Sequence, residues 1–305
     1  MKHRPHNAPL DAEALRDVRK LLDCEVTQLR AIVGGTENRH FLVETQNYAY
    51  VLSLLDKRDA DAAERYANYV TFLFEHDIPI PRIHPFATGR LTTTINGVPA
   101  ILSTFIQGEI LRPFPVERLV DVGGVLGKLH TLRFEGGPKP HIRFSEKDFH
   151  RVPAGWFREW LTQSYTASYK FISASRPHMA CHCDLFPDNI ILSTSGQLVL
   201  IDWEDGGEEL PVIDMAMAIL GLCCRRTFMP DAANALLKAY ARAVGHSIDL
   251  DDLRQALIYC ATFVALTRYL RRTQHQDGKT RVRPYRQMPR LLQEILSRWV
   301  EVRTG

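Results

Sequence analysis

The first third of the chain alternates short hydrophobic runs with turn residues, whereas the rest repeats hydrophobic positions every three or four residues. The short runs predict β-strands, over residues 25–33, 39–45, 48–55 and 97–106. The longer periodic segments predict helices, over residues 11–23, 59–76, 115–132, 153–176, 212–224, 230–245, 249–273 and 285–302. The chain is therefore predicted to be rich in strands before residue 107 and mainly helical after it.

One short segment interrupts the helical part of the pattern. Residues 182–189 form a polar loop that contains a proline, an apolar run follows, and a second apolar run ends at Asp202. The sequence Ser193-Thr194-Ser195-Gly196 between the two runs is typical of a hairpin turn. Because a hairpin brings its two ends together, we expect Asp184 and Asn189 to lie near Asp202.

These three oxygen-bearing side chains are the set that phosphoryl transfer requires. An aspartate, here Asp184, must orient the acceptor hydroxyl and accept its proton. An asparagine and a second aspartate, here Asn189 and Asp202, must hold Mg²⁺ on the nucleotide phosphates. An acidic surface loop is the plainer interpretation of one such motif, but two motifs in this order favour a kinase site.

The motif His-x-Asp-Leu-Phe-Pro-Asp-Asn at residues 182–189, followed by Ile201-Asp202, resembles a known group of enzymes. It is similar to the aminoglycoside phosphotransferase/choline kinase-like superfamily, and most similar to the homoserine kinases of that fold. The resemblance implies an α+β, bilobal protein-kinase-like fold, with a small N-terminal antiparallel β-sheet lobe and a larger, mainly helical C-terminal lobe. It also implies a nucleotide-binding lobe over residues 10–106 and a catalytic and acceptor-binding lobe over residues 107–305.

The resemblance further implies that the cofactors are ATP and Mg²⁺. The sequence Gly-Gly-Thr-Glu-Asn-Arg-His-Phe-Leu-Val is similar to the hairpin that homoserine kinases fold over the phosphates. Protein kinases carry a phosphate-binding lysine where this chain has Ser53, and the nearest cation is Lys57, with Glu64 as its candidate partner; solvated surface positions are the alternative for both. The predicted nucleotide-binding residues are Gly34, Gly35, Thr36, Asn38, Lys57, Glu64, Thr104, Phe105 and Ile106.

Two further residues are expected to support the catalytic loop. His182 is predicted to orient the loop through hydrogen bonds and not to act as the base. The sequence Pro211-Val212-Ile213-Asp214 is similar to a family segment in which the aspartate braces the loop. An ordinary aspartate at a helix N-terminus would give the same pattern.

The choice of acceptor rests on charge. Arginine is concentrated between residues 268 and 290, where Asp277 is the only acid. A basic surface suits a zwitterionic or anionic acceptor better than cationic aminoglycosides or choline, although a solvated surface would look the same. L-Homoserine carries a carboxylate, and Arg268, in a Thr-Arg pair similar to that of homoserine kinases, is the predicted substrate-binding residue.

Two alternatives to homoserine phosphorylation stay open at this point. The first keeps the chemistry and changes the acceptor to another hydroxylated metabolite or an antibiotic of the aminoglycoside or choline type. It is favoured by residues 201–206, which differ from the Asp-Phe-Tyr that homoserine kinases tend to carry there. The second is a non-catalytic nucleotide-binding regulatory module, which the serine at position 53 favours.

Composition excludes several other classes of function. The 305 residues carry a formal net charge of +3, 45% hydrophobic and 24% charged residues, without a long basic run, so neither nucleic acid nor a membrane is expected as a partner. The first nine residues are polar, and a cytoplasmic location is predicted. The six cysteines are then expected to be reduced.

Overall fold

The computed structural model describes residues 18–22, 25–32, 38–140, 142–173, 177–274 and 284–304. The predicted phosphate-binding residues Gly34, Gly35 and Thr36, and most of the first predicted helix, lie outside these ranges. The chain forms two compact units. The first contains Met1–Glu109, Gly136–Pro138 and Ile191–Ile201, and the second contains Ile110–Glu135, Lys139–Ile190 and Asp202–Gly305.

The first unit is built on an antiparallel sheet in the order β1-β2-β3-β6-β4, with β5 paired to β6. Its strands are β1 Val26–Ile32, β2 Arg39–Thr45, β3 Ala49–Leu54, β4 Ile83–His84, β5 Thr92–Ile95 and β6 Val98–Thr104. Alternate residues such as Phe41, Val43, Leu52 and Leu54 are buried in one cluster, as expected when successive side chains point to opposite faces. Helix α1, Ala60–Glu75, also contacts β6.

A three-stranded sheet contains the hairpin that the sequence predicts after the polar loop. Its order is β10-β9-β7, and its strands are β7 Gly108–Ile110, β9 Ile190–Ser193 and β10 Leu198–Leu200. Gly108 permits this pairing, because a Cβ atom there would lie 2.2 Å from the backbone oxygen of Leu192. The hairpin therefore brings the segments before β9 and after β10 close together, as the sequence predicts.

The second unit is mainly helical. Its helices are α2 Leu119–Leu129, α3 Trp156–Ser173, α4 Pro211–Leu222, α5 Pro230–Val244, α6 Leu250–Gln274 and α7 Gln287–Ser297. A two-stranded sheet joins β8, Met179–Cys181, to β11, Gly207–Glu209. Helix α4 is buried along almost its whole length, which explains why its sequence is apolar on every face.

The structure differs from the predicted elements mainly at their ends. The helix predicted from residue 115 begins at Leu119, after the 3₁₀ turn Val116–Arg118, and the last predicted helix ends at Ser297. The strands β4, β5, β7, β8 and β11 were not predicted, because they are too short to show a hydrophobic period. Within the described ranges, no helix combines the length and hydropathy that a membrane span requires.

Candidate active site

The loop between β8 and β9 is fixed by a buried carboxylate on α4. Asp214 lies in the first turn of that helix, is 0% exposed, and accepts hydrogen bonds from the backbone N–H groups of His182 at 2.7 Å and Cys183 at 2.9 Å. Cys183 has a left-handed backbone conformation, with φ of 65°. Because both donors flank this uncommon conformation, the carboxylate holds the loop in a shape that a non-glycine chain rarely adopts.

Asp214 is in turn held by a buried histidine from the end of α2. Nε2 of His130 lies 3.2 Å from Oδ2 of Asp214, and its Nδ1 lies 3.1 Å from the Tyr240 hydroxyl. Burial alone would lower the pKa of His130, but Cys181 and Asp214 raise it well above its ordinary value. Burial would raise the pKa of Asp214, yet its bonds to His130 and His182 hold it below its usual range. The two groups therefore form a buried ion pair beneath the loop.

Cys181 completes a close group with this ion pair. His130, Cys181 and Asp214 offer ligand atoms within 4.8 Å of one another, and all three are buried. The oxygens of Asp214 already accept two backbone hydrogen bonds and contact His130. These contacts explain the group of three residues as a structural support of the loop.

His182 is buried within the loop itself. Its Nδ1 accepts a hydrogen bond from the backbone N–H of Asp184 at 3.3 Å, and its ring packs against Trp203 with a centroid distance of 4.6 Å. Its side chain is 0% exposed. These contacts suit the orienting role that the sequence predicts for His182.

Asp184 and Asn189 are in direct contact, as the spacing of the motif predicts. Nδ2 of Asn189 donates hydrogen bonds to the Asp184 carboxylate at 3.0 Å and to its backbone oxygen at 2.7 Å. The 3₁₀ turn Pro187–Asn189 holds the amide in place. No residue within the described ranges donates a hydrogen bond to Oδ1 of Asn189, so this oxygen is available as a ligand.

Asp202 follows β10 in a left-handed conformation, with φ of 62° and ψ of 61°. A non-glycine residue in this region costs free energy, and such residues concentrate at functional sites. The negative charges of Asp202 and Asp205 also act on Asp184. Burial is the largest cause that raises the pKa of Asp184 well above its usual range, followed by the charges of Asp205 and Asp202.

The donor set fits a hard divalent cation. An amide oxygen from Asn189 and the carboxylate of Asp202 are the oxygen ligands that Mg²⁺ prefers. The like charges of Asp184, Asp202 and Asp205 repel one another, and a bound cation would offset that repulsion. The sequence did not assign Asp205, although three acids in the run 202–205 were a signal for it.

The structure also brings Arg271 into electrostatic reach of Asp184. The positive charge of Arg271 lowers the pKa of Asp184, against the larger effects of burial and the two other carboxylates. Arg268 is half-buried one helical turn earlier on α6, so the two residues share a face of the helix. Sequence reasoning chose Arg268 and missed Arg271, although the three-residue spacing within the arginine-rich segment could have indicated it.

A glycine of α4 allows the loop to lie directly on the helix. A Cβ atom at Gly221 would meet the backbone oxygen of Leu185 at 2.3 Å and Cα of Phe186 at 3.1 Å. Both neighbours follow Asp184 in the loop. The position of Asp184 thus depends on a backbone contact that any larger side chain would obstruct.

In the first unit, Asn38 is buried beside the start of β2. Its Oδ1 accepts a hydrogen bond from the backbone N–H of Asp56 at 3.0 Å, and Arg39 forms a bidentate ion pair with the Asp56 carboxylate at 2.9 and 2.7 Å. Its predicted role in nucleotide binding stays a prediction. These contacts give it a structural role at the end of β3.

The strand position of the usual kinase lysine is occupied by a hydrogen-bonded serine. Oγ of Ser53 lies 2.9 Å from Nδ1 of His40 on the neighbouring strand, and burial lowers the pKa of His40. Glu64, on α1, forms an exposed ion pair with Arg90 at 3.4 Å. Lys57 lies just beyond β3. The predicted phosphate-binding roles of Lys57 and Glu64 stay predictions.

The predicted adenine-binding segment follows β6. The backbone N–H of Thr104 donates to the oxygen of Arg82 at 2.9 Å, and that of Phe105 donates to Ala49 at 3.0 Å. The backbone N–H of Ile106 donates to no residue in the described part of the chain. Of the three predicted residues, Ile106 therefore has the backbone donor that a purine could use.

Comparison with known proteins gives a consistent picture. The family model described as the phosphotransferase enzyme family matches residues 28–257. A homoserine kinase of Rhizobium meliloti is 28% identical over 238 residues, which cover 72% of this chain and 70% of that protein. A homoserine kinase of Paraburkholderia phytofirmans is 29% identical over 180 residues, 55% of this chain, and the match spans only about half of that relative's length, 54%.

Solved structures show the fold. A spectinomycin phosphotransferase in complex with ADP and spectinomycin has a TM-score of 0.71 at 14% identity, covering 97% of this chain and 100% of that one. A choline/ethanolamine kinase family protein of Mesorhizobium loti has a TM-score of 0.64 at 17% identity, covering 96% and 100%. The predicted α+β kinase-like fold is confirmed, as is the resemblance to this superfamily.

Proposed function

Since this chain belongs to the phosphotransferase enzyme family, we propose that it transfers the γ-phosphoryl group of ATP to a hydroxyl group of a small molecule, with L-homoserine as the leading acceptor. The observation that carries the proposal is the contact between Asp184 and Asn189, within electrostatic reach of Asp202. Phosphoryl transfer needs these three side chains near one another.

Asp184 is the catalytic residue of this proposal. Its carboxylate accepts a hydrogen bond from the acceptor hydroxyl and directs that oxygen toward the γ-phosphorus. As the new P–O bond forms and the bond to the β-phosphate oxygen breaks, the hydroxyl proton passes to Asp184 and ADP leaves. The hydrogen bond from Asn189 fixes the orientation of the carboxylate, and the brace formed by Asp214 and His182 fixes its backbone.

Asn189 and Asp202 would hold Mg²⁺, which when bound neutralises charge on the phosphate oxygens. Asp205 adds negative charge to the same region. In the first unit, the residues proposed for the nucleotide are those predicted from the sequence, with the backbone N–H of Ile106 for the adenine. Lys57 is the candidate for the phosphate contact, because Ser53 is hydrogen-bonded to His40.

Arg268 is proposed as the ligand of the homoserine carboxylate, since a guanidinium binds a carboxylate through two parallel hydrogen bonds. The support is its place on the helix face that it shares with Arg271 and the similarity to homoserine kinases. An Arg268→Ala protein is expected to raise KM for homoserine roughly 10- to 100-fold with less effect on KM for ATP. An unchanged KM for homoserine would remove this assignment.

The proposal is tested by coupling ADP production to a panel of alcohols. Homoserine, serine, threonine, choline, ethanolamine and an aminoglycoside are added singly to the purified protein with ATP and Mg²⁺. We expect ADP production to rise with homoserine well above the rate without an alcohol. If choline or the aminoglycoside gives the higher kcat/KM, the family chemistry stands and the homoserine assignment is wrong.

One observation favours a second candidate, a nucleotide-binding module that does not transfer phosphate. The position of the usual phosphate-binding lysine is Ser53, whose hydroxyl is already paired with His40. The organised contact of Asp184 with Asn189 argues against it. Nucleotide binding by calorimetry without ADP production from any alcohol would support the second candidate.

A further inference from the structure

A cavity of about 440 Å³ opens at the C-terminal end of α6, and no predicted site residue lines it. Its walls are Tyr269, Arg272 and Thr273 from the helix and Tyr285 and Arg286 from the turn before α7. This volume lies within the range of small-molecule sites in proteins. The cavity is therefore large enough for a ligand of the size of an amino acid or a substituted benzene.

The floor of the cavity is an aromatic cluster. The rings of Tyr269 and Tyr285 meet edge to face, with centroids 5.1 Å apart, and Phe157 of α3 packs on both, at 5.5 and 4.4 Å. Such contacts hold the rings in fixed orientations. A ligand with a carbon chain or a planar ring would find a preformed apolar surface here.

The rim of the cavity is cationic. Arg286 donates to the Tyr285 hydroxyl at 3.2 Å and lies over the ring of Trp156 at 5.9 Å, while Arg272 projects from an exposed position on α6. Within the described residues, neither guanidinium forms an ion pair with a carboxylate. The hydroxyl of Thr273 already donates its proton to the backbone oxygen of Leu270 at 2.8 Å. Two guanidinium groups around one opening are a recognition set for an oxyanion.

The cavity combines an apolar aromatic surface with two guanidinium groups at one opening. We propose that this cavity is a binding site for a small molecule that carries a carboxylate or a phosphate, and that Arg272 and Arg286 bind this oxyanion. This inference goes beyond the proposed function, because none of the residues proposed there lines the cavity.

The test uses pairs of probes that differ only in charge. The pairs are 4-(hydroxymethyl)benzoate with 4-(hydroxymethyl)benzamide, and L-homoserine with L-homoserine amide; 4-(hydroxymethyl)phenyl phosphate separates phosphate from carboxylate. Binding to the full-length protein is measured by calorimetry without nucleotide. We expect an anion to bind roughly 10- to 100-fold more tightly than its uncharged partner. In the protein that combines Arg272→Met and Arg286→Met, the charged and uncharged probes of each pair are expected to bind with about equal affinity.

The matched control combines Arg254→Met and Arg290→Met, which remove the same charge from exposed positions on α6 and α7 that do not line the cavity. It should keep the full preference, and circular dichroism should show both double variants folded. Three results would each overturn the proposal. The wild type could bind charged and uncharged probes equally, it could bind none of the probes, or the preference for the anion could persist in the protein that lacks Arg272 and Arg286.

Failure of the pocket and failure of the kinase function are separable by this design. If the anion preference is lost when the two arginines are replaced but no alcohol stimulates ADP production, the pocket stands and the kinase function fails. If alcohols stimulate ADP production and the preference is independent of the two arginines, the kinase function stands and the pocket fails.

Discussion

The catalytic loop and the cavity at the end of α6 belong to the same unit but are held in different ways. In the loop, Asp214 accepts two backbone N–H groups, and Asn189 fixes the Asp184 carboxylate. At the cavity, Arg272 and Arg286 extend from exposed positions. The loop is held by buried, charged hydrogen bonds, whereas the rim of the cavity is held by aromatic contacts at its base.

This difference separates the proposed catalytic residues from the proposed ligand site. A buried network fails when any member is removed, because the remaining polar groups lose their partners and cannot reach water. An exposed rim residue can be exchanged with little effect on folding. We therefore expect substitutions in the loop to abolish catalysis or folding, and substitutions at the cavity to change only the binding of its ligand.

The largest effect is expected for Asp184→Asn. The amide keeps the shape of the side chain but cannot accept the hydroxyl proton, so kcat should fall by about 10³-fold. Calorimetry should show ATP binding within a few-fold of the wild type. A variant that retains the wild-type kcat would show that Asp184 is not the catalytic group.

The next largest effect is expected for Gly221→Ala. The new Cβ atom would lie 2.3 Å from the backbone oxygen of Leu185, so the loop must move. We expect a loss of about 2 kcal/mol in the free energy of unfolding, and a fall in kcat of about tenfold or more from the displaced aspartate. Urea denaturation and steady-state kinetics measure the two quantities.

Gly124→Ala is the matched control for that substitution. Gly124 lies in α2, and a Cβ atom there would meet nothing within 4 Å. The same change should leave kcat unaltered and raise the free energy of unfolding by up to about 1 kcal/mol, because alanine is the better helix former. Equal losses of kcat in both proteins would show that the contact with the loop is not the cause.

Removal of the ion pair beneath the loop should give a pH-dependent effect. His130→Gln leaves Asp214 buried without its charged partner, which should cost about 3 kcal/mol at pH 6. Since the pKa of His130 is raised on folding, its stabilisation is complete below the unfolded-state pKa of about 6.5 and is lost as pH rises through the folded-state value. The difference in urea midpoint between wild type and variant should therefore narrow toward alkaline pH.

His246→Gln provides the control for the pH experiment, because His246 is exposed. Its urea midpoint should track that of the wild type across the same pH range. The ion pair also predicts that the free energy of unfolding falls at acid pH. Because folding lowers the pKa of Asp214, the stabilisation from this carboxylate is lost as pH falls through its folded-state pKa. A constant difference between wild type and His130→Gln from pH 6 to 9.5 would contradict a charged His130.

The smallest effect is expected for Tyr285→Phe at the cavity. The change removes the hydroxyl that accepts a hydrogen bond from Arg286 but keeps the ring that packs on Phe157. We expect the free energy of unfolding to change by less than about 0.5 kcal/mol and kcat to stay unchanged. The Kd of the carboxylate probes should change by no more than about threefold. A loss of folding here would mean that the cavity is as tightly constrained as the loop.

The sequence predicted the hairpin of β9 and β10 because its information is local. Asp184 and Asn189 lie five positions apart and Asp202 ends the next strand, so turn residues and hydrophobic alternation were enough to bring them together. Strands β2 and β3 and helix α1 were predicted nearly to the residue for the same reason. The fold class followed from the resemblance that those residues carry.

What the sequence did not predict depends on contacts between distant segments. His130 and Asp214 are 84 positions apart, and nothing in their local patterns indicates a buried pair. Arg271 was missed because its significance comes from proximity to Asp184 on another element. The cavity was missed because Tyr269 and Tyr285 meet only after α6 and the following turn pack on Phe157.

The left-handed backbone at Asp202 limits which residues evolution or a mutant library can place there. Glycine, asparagine and aspartate enter this conformation most readily, and only aspartate among them supplies a negative charge. Asn is thus the replacement that removes charge while preserving the turn, whereas Glu keeps the charge and strains the turn. Saturation mutagenesis of codon 202 should consequently show that few amino acids at this position give a folded protein. Fewer still should be recovered under selection for activity.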